Sequence, residues 1–126
     1  MILAAVEDLI FLSKIQETAR LMGVAVEPAD LKKVSEGFAQ PSVRAIILDL
    51  NHRSGAAIDL LRTLKANPAT RRIEIVGFLS HVQGDLAAAA RQAGCDLVLA
   101  RSEFSQQLPQ LLRRLAGLES SAAPES

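Results

Sequence analysis

Cysteine is almost missing from this chain: Cys95 is the one such residue in 126. No internal disulfide is possible, and its apolar neighbours mark it as a small core side chain in a reducing compartment. Neither sign of charge prevails. Fourteen basic side chains balance fourteen acidic ones, which excludes the basic footprint of a nucleic-acid binder and the acidity of a solvating tail. The opening MILAAVEDLIFL has no basic leader and is broken by Glu7 and Asp8, so it reads as neither signal peptide nor membrane span. Internal repeats are absent as well. These absences leave one soluble, cytoplasmic domain, long enough to bury roughly two thirds of its unfolded surface without a disulfide or metal staple.

The strongest positive signal is the run Val43 to Leu50, VRAIILDL, with a single carboxylate, Asp49, near its end. The run is too short and too β-branched for a helix and reads as a buried parallel strand. Further strands are expected at Ile2 to Val6, Val24 to Glu27, Ile73 to Leu79 and Asp96 to Ala100. Between them, apolar residues recur at helical spacing. Leu12, Ile15, Ala19 and Met22 predict a first helix stopped by Gly23, and Pro28 to Asp30 open a weaker second one reaching about Phe38. A third is expected over about Gly55 to Ala66, a fourth over Gly84 to Ala93, and a fifth from a Ser105 cap to about Gly117, with Pro109 in its first turn. Strict alternation of five strands and five helices predicts an α/β fold of three layers: a parallel sheet in the flavodoxin-like order 2-1-3-4-5 with helices on both faces. It occupies residues 1–117, and 118–126 reads as a loose, flexible tail.

In such a sheet, ligands bind outside the carboxyl ends of the strands. Four ends carry polar groups: Glu7 and Asp8, Asp49 with Asn51, Ser80, and Arg101. Each also has a plainer reading. Asp49 would cap its own loop, Asp8 would be the N-cap of the first helix, Ser80 would bond its own backbone, and Arg101 would be a solvated charge. His52 and His81 read as exposed loop residues. Leu9 to Leu12 are four successive large apolar side chains that cannot all face one core, so part of the run is either tucked over the sheet edge or offered to a partner or second copy.

Taken together, these residues resemble the receiver domain of bacterial two-component response regulators, over residues 2 to about 116. The resemblance implies a phosphorelay module in which Asp49 is the phosphoacceptor, Glu7, Asp8, Asp49 and the main-chain carbonyl of Asn51 hold Mg²⁺, and Ser80 and Arg101 meet the phosphoryl group. It implies a histidine kinase or phosphotransfer protein as donor, a downstream protein as reader, and a signalling substrate instead of an enzyme. The chain departs from the family in having Arg101 for the usual lysine, Ser102 for the proline after it, and Val98 for the aromatic switch residue; the loop after Asp49 reads HRSGAA.

Three like charges within ~4 Å repel by about 4 kcal/mol per pair at an effective dielectric near 20, so the acids need a cation. Mg²⁺, a hard ion that favours oxygen ligands, is one candidate and Arg101 is another. Two functions follow as alternatives: a stand-alone, phosphorylated receiver, or a phosphorylation-independent pseudo-receiver in which Arg101 neutralises Asp49 and the apolar run mediates contacts. A flavin protein of the same sheet order is disfavoured, because no phosphate-cradling loop rich in Gly, Ser or Thr follows the first strand.

Overall fold

The run ending in Asp49 forms β3 (Ala45–Asp49), and all five of its residues are buried. A computed structural model describes residues 1–32, 34, 43–51, 56–80 and 84–117. In it, β3 is the central strand of a five-stranded sheet completed by β1 (Ile2–Ala5), β2 (Val26–Pro28), β4 (Glu74–Leu79) and β5 (Leu97–Ala100). All pairings are parallel and the order is β2-β1-β3-β4-β5, as the alternation of elements predicts. The register sets Ala5 beside Leu48 and Asp49 beside Phe78, which brings the ends of β1, β3 and β4 level.

Alternation along the strands divides the core in two. Leu3, Ala5, Ile46, Leu48 and Ile75 pack with α2 (Ala56–Ala66) and α3 (Gly84–Gln92), chiefly through Leu61, Leu64 and Ala90. Ile2, Ala4, Ala45, Ile47, Val76 and Phe78 pack with α1 (Leu9–Met22) and α4 (Arg101–Leu115), through Phe11, Ile15, Phe104, Leu108 and Leu112. Ile46, Ile47 and Leu48 have no exposed surface, and each such burial stabilises by about 1.5–3 kcal/mol. Asp49 shares its parity with Ala45 and Ile47, so its side chain lies toward the α1 and α4 layer. Gly77 explains how β3 continues past it: a Cβ there would come 2.7 Å from Cδ1 of the buried Leu50.

Four helices are present among the described residues, against five expected. The expected second helix lies largely outside them, although the Val34 N–H donates to the Asp30 carbonyl as a helical turn requires. Pro28 does not open that helix. It ends β2, opposite Ala4, on an edge strand where a missing N–H costs no ladder bond. Gly23, at φ +73°, stops α1 as the sequence predicts. The expected tail, 118–126, and His52 and His81 lie outside the described residues.

The last helix differs more. It begins at Arg101, directly out of β5, not at Ser105. Glu103 makes this start possible, its carboxylate accepting the Ala100 N–H at 3.1 Å. Pro109 is therefore an interior residue of α4, where it withholds a bond from the Ser105 carbonyl. Replacing the exposed Pro109 by Ala is expected to stabilise the fold by about 1–3 kcal/mol in urea denaturation; unchanged or lower stability would show that the helix is built around the ring.

Candidate functional site

Beyond the carboxyl ends of β1, β3, β4 and β5 lies a crevice of about 360 Å³, lined by Glu7, Asp8, Asp49, Asn51, Phe78, Ser80 and Arg101. Every polar residue singled out at a strand end reaches it. A second hollow of about 490 Å³ adjoins across Glu7, with a largely apolar wall that includes Val6, Leu12, Pro28 and Leu31.

Asp49 is 8 % exposed, and its Oδ1 accepts the Asn51 N–H at 3.0 Å. The plain capping role foreseen for Asp49 is thus met by one of its oxygens, and the carboxylate still borders the crevice. Asn51 enters in a way the sequence did not suggest. Its side-chain oxygen accepts the Ser80 N–H, tying the loop after β3 to the end of β4.

Asp8 is the N-cap of α1 and a site residue together. Its Oδ1 accepts the N–H groups of Ile10 and Phe11 at 2.9 and 3.1 Å, and its Oδ2 accepts from Arg101 Nη2 at 2.9 Å. The Phe11 N–H first, and Arg101 with it, hold the Asp8 carboxyl below its ordinary value.

The pseudo-receiver alternative requires Arg101 to pair with Asp49, and the structure corrects this: its salt bridge is to Asp8. The reason is an aromatic floor. Phe11, Phe78 and Phe104 form a triangle of tilted rings with centroids 5.0, 5.8 and 5.1 Å apart. The Arg101 guanidinium carbon sits 4.3 Å from the Phe11 ring centroid and 5.9 Å from that of Phe78. Cation–π attraction draws it to the α1 side, within reach of the cap. Its Nε is buried without a hydrogen-bond partner. In the sequence, Phe11 is only one of four successive apolar residues. Of these, Leu9 and Ile10 are 73 % and 84 % exposed while Phe11 is buried, so the run does split between core and surface.

Hard carboxylate oxygens of the kind Mg²⁺ favours line the crevice. The donor set suits such an ion, but Arg101 stands in its place: both Asp8 oxygens are engaged, one of them by the guanidinium, and among the described residues no three of His, Cys, Asp and Glu are drawn together as a ligand group. Elsewhere, Cys95 is buried and burial pushes its thiol up to about 11, in keeping with an inert core residue. Among the described residues no helix is long and apolar enough to cross a membrane.

The chain matches no protein-family model and no curated protein sequence. Solved structures do resemble it. A response regulator from Hahella chejuensis has a TM-score of 0.79 at 17% identity, with 90% of this chain and 92% of that one covered. A response regulator receiver domain from Rhodospirillum rubrum has a TM-score of 0.72 at 23% identity, over 96% of this chain and 93% of that one. The Mn²⁺-bound form of a response regulator has a TM-score of 0.65 at 21% identity, over 99% of this chain and 95% of that one. The fold is that of receiver domains.

Because the folded protein depresses the Asp8 pKa, its contribution to stability is present above the ordinary value near 3.8 and is lost as pH falls through the folded one. In an Arg101→Ala variant the Asp8 pKa, followed by carboxyl-carbon NMR, should rise only partway to the ordinary value, because the Phe11 N–H bond remains. An unmoved pKa would show that the guanidinium contributes nothing to it.

Proposed function

We propose that this chain is a signalling module of receiver type in which Asp49 accepts a phosphoryl group and the crevice rearranges around it. The observation that carries the reading is the buried Asp49, at the end of the central strand, opening on a crevice shared with Asn51, Ser80 and Arg101. A carboxylate held by one oxygen on the Asn51 N–H leaves Oδ2 as the nucleophile. In the transfer, Asp49 Oδ2 bonds to phosphorus while the bond from phosphorus to the donor breaks. With acetyl phosphate, acetate leaves carrying the electron pair, and Asp49 becomes an acyl phosphate.

Arg101, with its planar fork of donors, and the Ser80 hydroxyl are the groups within the crevice suited to the added oxygens. Attraction of the Ser80 hydroxyl to the phosphoryl group would shift the end of β4, which the Asn51 side chain ties to the end of β3. Such a local shift is the kind of movement a second protein reads. A histidine kinase or phosphotransfer protein in the cytoplasm would supply the phosphoryl group. The exposed Leu9 and Ile10, beside the crevice, offer apolar surface to a downstream protein or a second copy.

One observation favours a second reading. Arg101 already neutralises an acid of the site, which suits a module that keeps one state without phosphorylation and acts by contact alone. Intact mass after incubation with acetyl phosphate, with and without Mg²⁺, separates the two. The first reading expects a gain of one phosphoryl group that disappears in Asp49→Asn and on alkaline hydroxylamine treatment. A folded protein with no gain under either condition establishes the second.

A further inference from the structure

We infer that Arg101 is a resident cation of the acid site, and that a divalent metal must displace it from Asp8 in order to bind. This concerns metal entry to the unmodified protein and holds whether or not Asp49 is phosphorylated. Asp8 has no idle oxygen: Oδ1 holds the first turn of α1 through two N–H groups, and Oδ2 holds Arg101. Of these bonds, the two to N–H groups cap a helix that buries Phe11, Ile15 and Ala19. The bond to Arg101 joins side chains that are 31% and 44% exposed, so it is the one that gives way.

Both cations cannot stay. A guanidinium against Asp8 repels a metal entering between Asp8, Glu7 and Asp49, and it carries the charge that would otherwise make the acids attract one. The arginine also has a reason to move. Its Nε is buried with no acceptor, so the position over Phe11 leaves a donor unsatisfied, and stacking on the rings, not complete hydrogen bonding, holds it there. A lysine would have neither the planar face for that stacking nor the fork that reaches Asp8 from it.

Two measurements on the full chain test this. Mn²⁺ affinity, from water-proton relaxation, should rise roughly five- to tenfold in Arg101→Met, which keeps the apolar stem over Phe11 and removes the charge. Adding Asp8→Asn to that variant should erase the gain. In the wild-type protein, the Arg101 Nε–H NMR resonance should shift during a Mg²⁺ titration with the midpoint that calorimetry gives for metal binding. This second measurement decides the matter if Arg101→Met fails to fold. Equal Mn²⁺ affinity in wild type and folded Arg101→Met, or Mg²⁺ saturation with the Nε–H resonance unmoved, overturns the inference. Neither result bears on whether acetyl phosphate modifies Asp49, so the two readings fail separately.

Discussion

The two-residue alternation of side chains along β3 governs this molecule. It sends Ile46 and Leu48 to one helical layer and Ala45, Ile47 and Asp49 to the other. A slip of one residue would carry the acid to the α2 and α3 face and leave apolar side chains at the rim. Because the flanking strands pair in parallel register, their ends finish level, and each delivers its first polar residue to the same side of the sheet. The crevice is a product of sheet geometry before it is a product of its own contacts.

Its electrostatics rest on the layer below. Three of the four phenylalanines of the chain meet beneath the crevice, and one carries Arg101 on its face. The same α1 whose first turn Asp8 caps supplies that ring. Helix start, ring stack and ion pair are consequently one assembly: the cap fixes Phe11, Phe11 fixes Arg101, and Arg101 takes the remaining oxygen of the cap.

Much of this was readable in the residues, and the parts that were not have identifiable causes. Apolar runs with acids at their ends gave sheet order and the membership of the crevice, since both follow from periodicity and strand direction. No spacing rule announces the partner of Arg101, because cation–π stacking joins residues ninety positions apart in sequence. Ser105 is a sound local cap signal, overridden at the start of α4 by Glu103 binding back to Ala100. Proline favours the opening of a helix, which is what Pro28 suggests in the sequence, yet an edge strand accepts it equally. The role of the Asn51 side chain needed knowledge of which loops adjoin.

Leu50 has its side chain seated over Gly77 and its N–H bonded to the Phe78 carbonyl at 2.9 Å. The chain is clamped one residue beyond Asp49, so the acid has an anvil behind it. With ladder partners on both flanks of β3 and this clamp beyond it, the carboxylate meets whatever enters the crevice from a fixed place.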